Sequence, residues 1–110
     1  MRSREEFSAV MRSGRRAGSA TVVVHALVHR AGPPGDFPRV GFIVGRTVGG
    51  AVTRNRVRRR LRHLIRERLV SIPGTPLLVV RALAPAAAAS TGRLGDDLDG
   101  CLARLIGPAR

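Results

Sequence analysis

The apolar residues of this chain change period along its length, and the changes mark its elements. From Thr21 to Arg30 the residues alternate as in a strand, with Val22, Val24, Ala26 and Val28 on one face. Val23, His25, Leu27 and His29 fall on the other. The wholly apolar face is expected to be core, and the face with the histidines to be open to solvent or ligand. Ala31-Gly32-Pro33-Pro34-Gly35-Asp36 breaks that strand. Arg39 to Arg46 reads as a second strand, expected to pair with the first as an antiparallel hairpin. Pro76 to Leu83 reads as a third, apolar enough to be central and interrupted by Arg81.

Helical spacing occurs in three places. Between Ser3 and Arg12, residues Phe7, Val10 and Met11 share a face, Ser3 and Glu6 match a capping box, and Gly14 is a natural stop. From about Val52 to Val70, residues Val57, Leu61, Leu64, Ile65 and Leu69 cover one side of a helix. Asn55, Arg59, Arg62 and Arg66 align opposite them, with Arg56, Arg60, His63 and Glu67 in the next row. Arg68 falls within the apolar arc and has to snorkel out. A last helix, capped by Ser90 or Thr91, carries the stripe Leu94, Leu98, Leu102 and Leu105. Arg15 to Ser19 is loop-like, Thr47 to Gly50 is a glycine turn, and Pro85 with Ala86 to Ala89 is a connector. No internal repeat is present. The order helix, strands, helix, strand, helix predicts an α+β fold, one sheet covered by helices, in a single domain over residues 1–110.

Charge sharpens this picture. Twenty basic residues face seven acidic ones, giving a net charge of +13 and a pI near 12.0. Phosphate is the obvious neutraliser and an anionic membrane the second choice. Every basic residue is Arg, whose planar fork suits bidentate contacts to phosphate and guanine; a codon bias replacing Lys is the other source of such usage. Eight arginines crowd the stretch Thr53 to Leu69. A helix that docks by an apolar flank and holds guanidinium groups outward is a nucleic-acid contact element. Asn55 in its first turn can hydrogen-bond a base or sugar, or cap the helix.

Other chemistries find little footing. His25, His29 and His63 lie in separate settings with no ligand pair at helical spacing. Asp96, Asp97 and Asp99 sit together on the last helix, where solvent exposure is the plainer reading. The lone Cys101 has no disulfide partner and lies in an apolar pattern. The glycine turns lack the Lys-Ser/Thr ending of a phosphate loop. With no Trp or Tyr, and Phe only at positions 7, 37 and 42, a platform stacking several bases is not expected. No signal-peptide pattern or bilayer-length run occurs, so the cytoplasm is the expected compartment. Neither a catalytic constellation nor a metal site is predicted on the chain.

Three consecutive segments then carry a resemblance: Gly41-Phe42-Ile43-Val44-Gly45-Arg46, Val48-Gly49-Gly50-Ala51-Val52, and Arg54-Asn55-Arg56-Val57-Arg58-Arg59-Arg60-Leu61-Arg62. Together with Glu6-Phe7-Ser8-Ala9-Val10-Met11-Arg12-Ser13-Gly14 and Val79-Val80-Arg81, they resemble the bacterial ribonuclease P protein component over nearly the whole chain. The resemblance implies a two-layer α/β sandwich in the order α-β-β(-β)-α-β-α, with an extra short strand between Arg15 and Thr21. It implies one protein copy assisting a catalytic RNA, whose magnesium cleaves the 5′ leader from precursor tRNA, and no cofactor on the protein itself. The RNA-facing residues would be Arg54, Asn55, Arg56, Arg59, Arg60, Arg62 and Arg66. Phe7, Met11, Arg12, His25, Arg46, Val79 and Arg81 would line a leader cleft.

The family often has an aromatic at the positions of Met11 and His25, and a basic pair where Arg46-Thr47 stand. Those departures bear on leader stacking and not on the phosphate grip. Two other readings share the charge. A basic structural RNA-binding protein of ribosomal type would lack the cleft, and a DNA-binding helix is disfavoured because no helix-turn-helix pair or dimer seam is apparent.

Overall fold

A computed structural model describes residues 4–27, 39–72 and 76–106, with side chains from Ser8 onward. Its elements are α1 (Arg4–Ser13), β1 (Arg15–Gly18), β2 (Val22–Leu27), β3 (Arg39–Ile43), α2 (Ala51–Leu69), β4 (Leu77–Ala82), a 3-10 turn (Ala84–Ala87) and α3 (Thr91–Ile106). The strands form one four-stranded sheet in the order β1-β2-β4-β3.

The expected hairpin between the first two long strands does not form. β4 inserts between them, antiparallel to β2 (Val24 opposite Val80) and parallel to β3 (Phe42 opposite Val80). Parallel neighbours need a crossover of a dozen or more residues, and α2 supplies it. With partners on both sides, β4 buries Leu77, Leu78, Val79 and Val80 in succession, and Arg81 alone breaks the run. Arg15 to Gly18, loop-like by its own residues, is the extra short strand that the family resemblance implies: the edge strand β1, antiparallel to β2 with Ala17 turned into the core. The 83–89 connector also has structure: its 3-10 turn buries Ala86.

The sheet is covered unequally. On one face Val22, Val24, Ala26, Leu78 and Val80 pack with Val57, Leu61, Leu64 and Ile65 of α2 and with Leu94, Leu98, Cys101, Leu102 and Leu105 of α3. On the other, Val10 of α1 covers Leu77 and Val79, flanked by Leu27 and Ile43. The α1 stripe differs from expectation. Val10 is fully buried and Met11 is 38% exposed, while the side chain of Phe7 lies outside the described residues. Ser3 of the capping box, Val28 and His29 also lie outside them, as do the Ala31–Asp36 and Pro73-Gly74 turns.

Gly14 joins α1 to β1 where no side chain fits. A Cβ there would lie 2.4 Å from the Val10 carbonyl oxygen and 2.8 Å from that of Ala26. Polar ties then fix α3. Its first turn is capped by Ser90, whose Oγ accepts the Arg93 amide at 3.0 Å. Thr21 donates to Asp97 at 2.6 Å and Arg104 donates to the Gly18 carbonyl at 2.6 Å, clamping α3 to the β1–β2 end. Asp97, expected on the surface, is thus a structural carboxylate. The Thr21 hydroxyl, with Arg93 helping against a smaller effect of burial, holds it below the usual carboxylate range. Arg68 leaves the apolar arc of α2 as expected, reaching Asp99 of α3 at 2.6 Å and the Leu64 carbonyl at 2.9 Å.

Candidate nucleic-acid interface

Gly49 turns the chain into α2 at φ 153°, a region that side-chain-bearing residues rarely adopt. The helix begins without a side-chain cap at Gly50 and with no acid in its first turn, so its positive end is left uncompensated. Asn55 is therefore not the cap. It lies inside the helix, exposed, and accepts a hydrogen bond from Arg58 at 3.1 Å.

The arginines of α2 divide into two sets. Arg56 and Arg60 lean over the 3-10 turn, donating to the Ala87 and Ala89 carbonyls at 3.4 and 3.5 Å. Arg58 is engaged by Asn55 and Arg68 by Asp99. Arg59, Arg62 and Arg66 are exposed and have no acceptor among the described residues. Arg54 is half-buried on the flank nearest the core, with its Nε enclosed and unpartnered among the described residues. Val52, Asn55, Arg56, Arg58, Arg59 and Arg62 frame a shallow depression of about 480 Å³ on the outer face. Glu67 is the helix's single carboxylate, and it sits 3.8 Å from His63. The surface offers anion-binding donors and almost nothing to repel a polyanion.

The opposite face of the sheet gathers a second set. Register places Arg16, His25, Val79 and Gly41 side by side across the four strands, with Val23, Arg81 and Ile43 in the next row. Arg16 and Arg81 are exposed. His25 lies on the predicted face but is enclosed, at 8% exposure, and its Nε2 has no hydrogen-bond partner among the described residues. Burial, then the charges of Arg16 and Arg81, hold its imidazole below the ordinary value, which favours the neutral form. Val79 is fully buried beneath α1, so it forms floor and offers no surface of its own. Met11 and Arg12 are exposed on α1, and Arg46 is exposed in the turn after β3. Phe7 sits on α1, its side chain undescribed. Arg16 was not expected here. Only recognition of β1 as a strand would have brought it beside His25.

A small α+β protein with helices on both faces of a mixed sheet, and with a guanidinium-lined helix as crossover, is the class these features define. The family model described as Ribonuclease P matches residues 1–106, and the chain belongs to that family. The "Ribonuclease P protein component" of a Nocardioides species is 54% identical over 106 residues, covering 96% of this chain and 89% of that protein. The protein of the same description from Streptomyces griseus is 47% identical, covering 97% and 91%. The fold is also that of the RNase P proteins of Staphylococcus aureus (TM-score 0.80, 22% identity, 96% and 95% covered) and Thermotoga maritima (0.77, 21%, 100% and 99%). Among the described residues, no helix is long and apolar enough to cross a membrane.

Proposed function

We infer that this chain is the protein subunit of ribonuclease P, acting in the cytoplasm with one copy per catalytic RNA. The observation that supports this best is the row Arg59, Arg62 and Arg66, held outward on a helix whose other flank is locked in the core. Guanidiniums carried on a helix held in that way meet phosphates without any rearrangement of the backbone. Asn55, Arg56 and Arg60 extend the row, and Arg56 and Arg60 exchange weak carbonyl contacts for RNA on assembly. Arg54 gives its enclosed Nε an acceptor in the same step.

The cleft beside α1 holds the 5′ leader of precursor tRNA, with Arg12, Arg46 and Arg81 meeting its phosphates and Phe7 and Met11 its bases, over a floor that includes the enclosed His25 and Val79. The protein lowers repulsion between enzyme RNA and substrate and positions the leader. Leader hydrolysis is assigned to magnesium held by the RNA.

Reconstitution with the catalytic RNA at low magnesium tests this directly. The chain should promote removal of the leader where the RNA alone is slow, and no effect on cleavage would reject the role. Arg46→Ala should weaken binding of precursor tRNA more than that of mature tRNA. Equal losses would favour a purely structural RNA-binding protein.

A further inference from the structure

Between the edge strand β3 and the C-terminal half of α2 lies a groove of about 290 Å³. Val40 and Phe42 of β3 and Ile65 and Leu69 of α2 form its floor, and Arg62 and Arg66 stand on its rim. Its lining thus joins an aromatic ring and aliphatic walls to two cations that have no acceptor among the described residues. No acid contributes to it. The size is at the low end for small-ligand clefts, enough for a planar ring system and too small for a duplex. Arg62 also borders the depression on the outer face of α2, so the groove continues the surface assigned above to RNA.

We propose that this groove is a nucleotide subsite: an unpaired base of the partner RNA stacks on Phe42, and its phosphates lie between Arg62 and Arg66. The inference rests on the assembly with a catalytic RNA proposed above. Two observations favour RNA over a protein strand added to the β3 edge. The rim carries only positive charge, and the groove is contiguous with the outer row of arginines. Phe42 lines the groove and is partly exposed, and an aromatic ring stacks on any base, so the subsite selects for an unpaired, extruded nucleotide and not for a sequence. Arg62 is the hinge of the arrangement, because it serves both the groove and the outer row.

The test uses the full chain with its cognate RNA in magnesium, reading affinity across a salt series and nucleotide-resolution 2′-hydroxyl acylation. Phe42 packs against the core as well, so Phe42→Leu removes the ring while keeping apolar bulk. Complete loss of an aromatic stacking partner weakens binding by about 5- to 150-fold, and the Leu variant should show a smaller loss in that direction. Its salt slope should stay at the wild-type value, since no charge is removed. One nucleotide, protected by wild-type protein, should become reactive again while the rest of the footprint persists. Val40→Phe, which fills the groove and leaves the ring and both cations in place, should expose the same nucleotide.

Wild-type affinity and an unchanged footprint in Val40→Phe and in a normally folded Phe42→Leu would return the groove to packing, or to a protein partner, and overturn the proposal. If Phe42→Leu melts early, the filled variant decides alone. Failure of the wild-type chain to bind the RNA at all would instead remove the assembly on which the subsite rests.

Discussion

Replacing Arg59, Arg62 and Arg66 together by Ala isolates the electrostatic share of assembly. These side chains are exposed and accept no work from the fold, since none has an acceptor among the described residues. Removing one arginine–phosphate pair reduces the slope of log affinity against log salt by about 0.7 to 0.9, so removing three takes away about 2 to 3 units. Over a fourfold rise in salt, wild-type affinity should therefore fall roughly 20- to 40-fold further than that of the triple variant. Filter binding or calorimetry with the catalytic RNA at several salt concentrations measures this. Arg68→Ala is the control. Its side chain is 23% exposed and its guanidinium is spent on Asp99 and the Leu64 carbonyl. Losing it should cost about 1 kcal/mol of stability, a few degrees in melting temperature, and leave the salt slope alone. A triple variant with the wild-type slope would mean that the outer face of α2 meets no phosphate. The assignment of that face would then fall.

Gly14→Ala would place a methyl group against two backbone oxygens, so α1 must lift from β2. A loss of about 1–3 kcal/mol in chemical denaturation is expected, with weaker precursor tRNA binding. Gly100→Ala meets nothing within 4 Å on the exposed side of α3 and should add about 1 kcal/mol through helix propensity, read as a higher melting temperature. His25 has a folded-state value below 6.5, so the unfolded chain takes the proton first as pH falls. Stability should drop below that pH and level off once the folded form also titrates. His25→Phe should flatten that segment of a plot of urea midpoint against pH.

The arginine helix was legible in the sequence because its period runs unbroken over many turns, and it begins within a residue of where the apolar spacing put it. Strand pairing was not. Sequence neighbours suggest a hairpin, but the partner of β3 is decided by where α2 delivers the chain. Nineteen helical residues span roughly 28 Å, enough to return the chain to the start of β3 and set β4 parallel beside it. The unbroken run Leu77 to Val80 already hinted at burial on both faces and a central position. β1 has no visible period because only Ala17 of its four residues faces the core, and only the family resemblance points to a strand there. At the interface, periodicity identified the guanidinium row but not which members the fold already occupies. The carbonyls that hold Arg56 and Arg60 come from Ala87 and Ala89, in a connector without pattern. The surroundings of His25 are hidden for a similar reason, since its neighbour Arg16 lies on a strand without a visible period.

Magnitudes also decide whether α2 forms without a polyanion. Like charges three or four residues apart, such as Arg54 with Arg58, Arg56 with Arg60, and Arg62 with Arg58 and Arg66, each weaken a helix by about 0.2–0.5 kcal/mol. The penalty for the whole helix is on the order of 1–3 kcal/mol at low salt, and less where salt screens it. Against it stand Val57, Leu61, Leu64 and Ile65, all buried, each worth roughly 1.5–3 kcal/mol when removed from water. Packing wins by a wide margin, and Arg68 adds a tie to α3 instead of another repulsion. The helix therefore does not need a polyanion in order to fold. The backbone that carries its arginines is set by packing before any polyanion arrives, so the cost of ordering the helix itself falls on folding.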